Sequence, residues 1–132
     1  MHTQIRVLVA EDDEVNAKAA RGLLERLGCL VDVASDGIEA VDYFRNRSYD
    51  LILMDWQMPG MDGIEATVKI RAMPRGATIP IVGTTAGNAS AECIAGGMND
   101  VIPKPFLTEK LRHVLSRWTI WTKCQGPDTG RA

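Results

Sequence analysis

Short apolar runs and amphipathic segments alternate along the chain, five times over. The apolar runs are rich in Val, Ile and Leu and have the length of β-strands. We predict strands at residues 5–10, 30–34, 51–54, 79–84 and 101–102. The intervening segments repeat apolar residues every three or four positions, which is typical of helices that bury one face. We predict helices at residues 15–27, 37–44, 64–73, 90–95 and 107–118.

Regular alternation of strands and helices predicts an α/β fold in which a parallel sheet is covered on both faces. The run at residues 51–54 is apolar at every position, as in a central strand. Pro103 follows the fifth strand closely, and because proline cannot donate to a sheet ladder, that strand belongs at an edge. Both placements fit a doubly wound sheet with the strand order 2-1-3-4-5.

The chain has 132 residues, the length of one domain, and its 15 basic and 17 acidic side chains give a net charge of −2. Such a balance lacks the basic surface needed for bulk binding to nucleic acid or anionic membranes, so we expect neither. No apolar run approaches the roughly 20 residues of a membrane span, and the first residues do not resemble a signal peptide. We place the folded domain at residues 1–121 and expect a flexible tail at 122–132.

The cysteines argue against a fold that is stabilised by disulfide bonds or by a structural zinc ion. Cys29, Cys93 and Cys124 are odd in number and far apart, and the two histidines are also widely separated. Neither a disulfide framework nor a zinc site is expected from this spacing. The predicted location is therefore the reducing cytoplasm.

Polar side chains follow four of the five predicted strands. They are Glu11, Asp12 and Asp13 after the first strand, Asp55 after the third, Thr84 and Thr85 after the fourth, and Lys104 after the fifth. Singly, each has an ordinary structural explanation, such as a helix cap at Asp13 or a surface lysine. Parallel strands have their carboxyl ends on the same side of the sheet, and ligands bind there between strands one and three. The residues together therefore predict one polar crevice.

The chemistry of this crevice points to phosphoryl groups and a metal. Clustered carboxylates raise one another's pKa values, and a divalent cation relieves that repulsion. Oxygen ligands without Cys or His favour Mg²⁺, with Mn²⁺ as a substitute. A lysine and a threonine hydroxyl beside one carboxylate suit a transferring phosphoryl group. Asp55 could then act as a nucleophile and form an aspartyl phosphate.

Four motifs carry a resemblance to a known family. They are Val7-Leu8-Val9-Ala10-Glu11-Asp12, Leu53-Met54-Asp55-Trp56-Gln57-Met58-Pro59-Gly60-Met61-Asp62-Gly63, Thr84-Thr85-Ala86 and Lys104-Pro105-Phe106. Together they resemble the receiver domain of two-component response regulators, most of all the receivers of hybrid sensor histidine kinases. The resemblance extends over residues 5 to about 121 and implies the flavodoxin-like form of the doubly wound fold.

The resemblance implies a metal site and a phosphoryl acceptor. Asp55 would accept a phosphoryl group from a phosphohistidine of a histidine kinase or a histidine phosphotransfer protein. Mg²⁺ would be held by Glu11, Asp12, Asp55 and the backbone carbonyl of Gln57. Of these, Asp12 is expected to bind the metal directly and Glu11 through water.

The resemblance also assigns the neighbouring polar residues. Thr85 would bind the phosphoryl oxygen and move on activation, with Thr84 as the alternative. Lys104 would pair with the carboxylate or phosphate, and the Lys104-Pro105 peptide bond is expected to be cis. Such a domain catalyses its own phosphorylation and dephosphorylation without being a conventional enzyme. The chain is either a stand-alone receiver or one excised from a longer hybrid kinase.

The chain departs from the family pattern at a few positions. Val101 stands where the family usually carries an aromatic residue whose rotamer is coupled to the threonine, which puts that switch in doubt. Glu11 replaces the more common Asp, a variation that keeps metal binding. Gln57 and Gly87 occupy positions that the family uses to tune dephosphorylation.

Three other functions fit the sequence pattern less well. A pseudo-receiver that acts only as an interaction scaffold is favoured by Val101 but opposed by the retained acidic, threonine and lysine positions. A hydrolase of small phosphate esters would need a second acid where the chain has Gln57. A flavin or nucleotide carrier would need a glycine-rich loop instead of acidic residues after the first strand.

The positions of the three tryptophans in the pattern predict their surroundings in the fold. Trp56 either borders the crevice or packs against a loop. Trp118 is expected in the core, and Trp121 in a linker or on a partner surface.

Overall fold

The structure is a computed structural model that describes residues 4–87, 90–105 and 107–121. Its strands are β1 (Arg6–Ala10), β2 (Leu30–Ala34), β3 (Leu51–Asp55), β4 (Ile81–Thr85) and β5 (Asp100–Pro103). Its helices are α1 (Glu14–Arg26), α2 (Gly37–Asn46), α3 (Gly63–Arg71), α4 (Ser90–Ala95) and α5 (Thr108–Trp118), with a 3₁₀ turn at Pro74–Ala77. No helix within the described residues is long and apolar enough to cross a membrane. The predicted tail at 122–132 lies outside the described residues.

The five strands form one parallel sheet in the order β2-β1-β3-β4-β5. The predicted fold class and strand order are therefore confirmed. The central strand β3 is buried at all five of its positions. β5 lies at an edge of the sheet, with Pro103 as its last residue.

Each face of the sheet carries its own apolar layer, because side chains alternate across the strands. α1 and α5 cover one face, where Leu24 and Leu115 are fully buried. α2, α3 and α4 cover the other, where Phe44 and Ile70 pack against the strands. The loops that follow the strands are thereby gathered at one edge, between the two layers.

Aspartates fix the first turns of three helices. The side chains of Asp13, Asp36 and Asp62 each accept a hydrogen bond from a backbone N–H in the first turn of α1, α2 and α3. Such caps satisfy N–H groups that have no partner within the helix. Because α1 and α3 follow β1 and β3, two of these caps also hold the loops at the predicted crevice.

Three predicted boundaries differ from the structure by two residues. α2 ends later than predicted, at Asn46, and proline explains the other two. α3 ends at Arg71, although the sequence predicts helix to residue 73. Met73 is extended, as residues before a proline usually are, and the chain continues into the 3₁₀ turn at Pro74. β4 begins at Ile81, two residues later than predicted, after Pro80, which has no N–H to offer the sheet.

The placement of two tryptophans also differs from expectation. Trp121 is 4% exposed, and its indole N–H donates a 2.6 Å hydrogen bond to the carbonyl oxygen of Leu27, so the linker or partner-surface prediction is wrong. That oxygen lies at the end of α1, where the last carbonyls have no partner inside the helix. Trp118 is only half-buried against the same layer and contacts Asp100 at 3.4 Å.

We expect Trp121→Phe to lower the free energy of unfolding by about 1–2 kcal/mol, because it leaves a buried carbonyl without its donor. Trp118→Phe is the matched control and should change the free energy of unfolding by no more than about 0.5 kcal/mol, since its long contact is partly exposed. Urea denaturation followed by far-ultraviolet circular dichroism measures both. Equal losses in the two variants would contradict the assigned role of the Trp121 hydrogen bond.

Candidate functional site

The acidic residues predicted for the crevice lie together. β1 and β3 are neighbours at the point where the strand order reverses. Glu11 and Asp12 follow β1, and Asp55 is the last residue of β3. One carboxylate oxygen from each of the three lies within 4.8 Å of the others. Glu11 and Asp55 are buried, and Asp12 is the exposed member of this acidic cluster.

Lys104 reaches the acidic cluster from the end of β5. Its Nζ lies 2.8 Å from Oε1 of Glu11 and 3.1 Å from Oδ1 of Asp55. Its backbone N–H donates to the carbonyl oxygen of Thr85, which ties it to the end of β4. Its peptide bond to Pro105 is cis, as expected. One ammonium group is therefore shared by two buried carboxylates.

Both candidate threonines lie at the end of β4. Thr84 pairs with Asp55 in the register of β3 and β4 and is 1% exposed, whereas Thr85 is 7% exposed. The Thr85 hydroxyl oxygen accepts a 3.1 Å hydrogen bond from the N–H of Gly87. An oxygen that accepts in this way can still donate its own proton.

The loop at residues 56–62 connects Asp55 to α3. Gln57 is exposed in this loop, while the next side chain, Met58, turns inward and is buried. Trp56 is half-buried against the layer under α2 and α3. Met58 therefore anchors the loop to the apolar layer, while the neighbouring Gln57 stays exposed.

Gly63 closes this loop, a contribution that the sequence analysis missed. Its N–H donates a 2.7 Å hydrogen bond to the carbonyl oxygen of Trp56. A Cβ at Gly63 would lie 2.1 Å from the carbonyl oxygen of Asp55, so α3 starts in direct contact with the backbone of Asp55. Asp62 and Glu65 form a capping box at the same point. The available signal was an Asp-Gly pair directly before a helical pattern.

Val101 is half-buried in β5 and packs against the layer under α2, α3 and α4. A Cβ at Gly83 would lie 3.6 Å from Cγ2 of Val101 and 2.5 Å from Sδ of Met98. Met98 itself is buried. Met98 and Val101 thus both pack close to Gly83 in the same apolar layer.

The electrostatics of the site centre on Asp55. Burial and the Glu11 carboxylate raise the pKa of Asp55 to about 7, against the opposing attraction of Lys104. Burial lowers the pKa of Lys104, but the neighbouring carboxylates of Glu11 and Asp55 outweigh that effect and leave it raised. Burial is the larger of the two effects that raise the pKa of Asp55, and repulsion by Glu11 adds to it.

The acidic cluster fits a hard divalent cation such as Mg²⁺. Its donors are all carboxylate oxygens, which such ions prefer. Oε1 of Glu11 is buried and faces Lys104 without an aligned hydrogen bond, so its lone pairs remain available to a metal or to a metal-bound water. A cation at this position would also offset the repulsion between the carboxylates.

We expect the Asp55 carboxyl group to make the metal-free protein less stable as pH rises from about 4 to about 7. Its pKa is about 7 in the folded chain, whereas an unperturbed Asp has a pKa of about 3.9. The stabilisation is complete below the unfolded pKa and is lost as pH rises through the folded pKa.

Thermal unfolding in EDTA, compared between the wild type and Asp55→Asn at each pH, isolates this contribution. The wild type should lose stability relative to the variant between pH about 4 and about 7. Added Mg²⁺ should raise the wild-type Tm more at the upper end of this range. A constant difference between the two proteins would contradict the raised pKa.

Comparison with known proteins gives a consistent picture. Residues 7–116 match the family model of the response regulator receiver domain. The two-component response regulator ORR41 of Oryza sativa subsp. japonica is 42% identical over 123 residues, which cover 88% of this chain and 95% of ORR41. The hybrid signal transduction protein dokA of Dictyostelium discoideum is 37% identical over 113 residues, which cover 85% of this chain but 7% of dokA. The chain thus spans nearly all of one relative and a small part of the other.

A solved structure shows the same overall similarity. The receiver domain of sensor histidine kinase PA1611 from Pseudomonas aeruginosa PAO1 matches with a TM-score of 0.82 at 40% identity, over 88% of this chain and 98% of that one. That structure has a magnesium ion coordinated in its active site cleft.

Proposed function

Since the chain belongs to the response regulator receiver domain family, we propose that it accepts a phosphoryl group on Asp55 from a phosphohistidine of a partner protein. One observation carries this assignment. Asp55 is a buried carboxylate at the end of the central strand, with an ammonium group 3.1 Å from one of its oxygens and two further carboxylates beside it. This combination supports a nucleophile that attacks phosphorus, with a cation beside it that balances the negative charge of the phosphoryl group.

The proposed transfer moves one phosphoryl group between two side chains. An Asp55 carboxylate oxygen forms the new O–P bond as the N–P bond of the partner's phosphohistidine breaks. The imidazole keeps the electron pair and takes up a proton from water. Lys104 stays beside Asp55 and pairs with the negative charge on the transferred group.

The residues proposed to hold Mg²⁺ are Glu11, Asp12, Asp55 and the backbone carbonyl of Gln57. Bound there, the metal would neutralise charge on the phosphoryl oxygens. The exposed carboxylate of Asp12 is the open side of the acidic cluster, and Glu11 is proposed to act through water. Mn²⁺ is proposed as a substitute, since it accepts the same oxygen donors.

Thr85 is proposed to bind the phosphoryl oxygen and to move on activation, with Thr84 as the alternative. Thr85 is the more exposed of the two, and its hydroxyl oxygen accepts a hydrogen bond from the N–H of Gly87 in the loop after β4. Val101 has no ring to follow such a movement. A conformational change in β4 would therefore have to be transmitted by side chains other than an aromatic residue in β5.

The partner is proposed to be a histidine kinase or a histidine phosphotransfer protein. The chain spans only a small part of the hybrid kinases that it matches, so a role inside a longer kinase and a role as a separate regulator are both consistent with the proposal. The cytoplasmic location and the domain limits at residues 1–121 stay predictions. The buried position of Trp121 supports the upper limit, since it lies beyond the matched residues 7–116.

Intact-protein mass spectrometry after incubation with acetyl phosphate tests the proposal, in parallel with Mg²⁺ and with EDTA. We expect the mass of one phosphoryl group to be gained with Mg²⁺ only and removed by hydroxylamine, which cleaves acyl phosphates but not serine or threonine esters. If no mass is gained and beryllofluoride also fails to bind with Mg²⁺, the phosphoacceptor proposal fails. A non-phosphorylated interaction scaffold would then take its place.

A further inference from the structure

Glu11 contacts protein groups with both of its carboxylate oxygens. Oε1 lies 2.8 Å from Nζ of Lys104, and Oε2 accepts a 3.2 Å hydrogen bond from the backbone N–H of Asp13. Its side chain is 1% exposed. Both oxygens of this buried carboxylate therefore face protein groups, Oε1 toward Lys104 and Oε2 toward the start of α1.

Lys104 lies closer to Glu11 than to Asp55. The two distances from its Nζ are 2.8 Å and 3.1 Å, and its own side chain is 16% exposed. The Glu11 side chain spans the crevice from the end of β1 to Lys104 at the end of β5. Asp12 forms no ion pair with a lysine or arginine among the described residues.

We propose that Glu11 is a positioning residue for Lys104. Its carboxylate holds the ammonium group beside Oδ1 of Asp55 before any phosphoryl group arrives, so that the cation is already in place when the O–P bond forms. Asp12 is exposed and forms no such ion pair among the described residues. Its main role is then to bind the metal. This division of roles rests on the proposed function for its purpose, but the Glu11–Lys104 contact can be tested without it.

The first test is a double-mutant cycle on the metal-free chain. Glu11→Gln, Lys104→Met and the double variant are unfolded in urea with EDTA. We expect the effect of the double variant on the unfolding equilibrium constant to be smaller than the product of the single effects, by about tenfold. Asp12→Asn combined with Lys104→Met is the matched control and should give a simple product. A simple product for Glu11 as well would overturn the proposal.

The second test uses phosphorylation rates with acetyl phosphate, measured from limiting to saturating Mg²⁺. If Glu11 acts through Lys104, Glu11→Gln should slow the wild type but should slow Lys104→Met little further. The slowing caused by Asp12→Asn should shrink as Mg²⁺ is raised, and the slowing caused by Glu11→Gln should persist. Rescue of Glu11→Gln by Mg²⁺, together with independent effects of the two substitutions, would overturn the proposal.

The two tests separate the two ideas. A wild type that neither gains a phosphoryl group nor binds beryllofluoride would mean that the proposed function fails, while the metal-free cycle would still decide whether Glu11 holds Lys104. A phosphorylated wild type with no coupling in the cycle would remove the role of Glu11 and leave the acceptor assignment intact. Calorimetric titration with Mg²⁺ gives an independent readout, since Asp12→Asn should weaken metal binding more than Glu11→Gln.

Discussion

A chain that carries Asp55→Asn should gain no phosphoryl group from acetyl phosphate and Mg²⁺, whereas the wild type gains one. The amide differs from the carboxylate by one group and fits the same space between Glu11 and Lys104. It has no anionic oxygen to attack phosphorus, so the loss should be complete. The substitution also removes the repulsion that burial and Glu11 impose on the carboxylate, so the metal-free variant should be at least as stable as the wild type at neutral pH.

Intact-protein mass spectrometry measures the loss, and thermal unfolding shows that the variant is folded. Asp42→Asn is the matched control, because its side chain is 60% exposed and pairs with Arg45 on the surface of α2. This control should be labelled to the same extent as the wild type. Labelling of Asp55→Asn at the wild-type level would move the acceptor to another residue and contradict the assignment.

Much of the fold could be predicted because its main determinants are local. Apolar runs that alternate with helical periodicity define a parallel sheet, and the fully apolar run at 51–54 and the proline at 103 decide which strands are central and which lie at an edge. The crevice follows from topology, since strand ends meet at one edge whatever the details of packing. This is why Glu11, Asp55 and Lys104 could be brought together without coordinates.

The contacts between distant parts of the chain could not be predicted in this way. The indole of Trp121 reaches a carbonyl 94 residues away, and nothing in the residues around it distinguishes a buried ring from an exposed one. The pairing of Lys104 with Glu11 depends on side-chain reach within an assembled site. The need for glycine at position 63 depends on how closely α3 approaches the backbone of β3, which no local pattern encodes.

Gly63→Ala should be the most disruptive small substitution beside the site. Its added methyl group would lie 2.1 Å from the carbonyl oxygen and 2.9 Å from the carbonyl carbon of Asp55, and 3.0 Å from Cγ of Met54. The first two neighbours are backbone, so no rotamer change relieves the clash. α3 must move away from β3, at a cost of about 3 kcal/mol in the free energy of unfolding, the upper end for overpacking.

Gly22→Ala is the matched control, since it adds the same methyl group to a helix with nothing within 4 Å. It should stabilise the protein by about 0.5–1 kcal/mol, because alanine loses less backbone entropy than glycine in a helix. Urea denaturation of both variants measures the two opposite changes. Similar free energies of unfolding for the two variants would show that α3 can retreat from β3 at no cost.

The same pair of variants tests whether α3 holds in place the loop at residues 56–62, which is proposed to bind Mg²⁺ through Gln57. Displacing the start of α3 also displaces the hydrogen bond from Gly63 to Trp56, and with it the loop that carries the Gln57 carbonyl. Gly63→Ala should therefore weaken Mg²⁺ binding in calorimetric titrations under conditions where the variant is still folded, whereas Gly22→Ala should bind Mg²⁺ as the wild type does. Unchanged Mg²⁺ affinity in folded Gly63→Ala would mean that the loop keeps its position without α3, and that Gly63 serves packing alone.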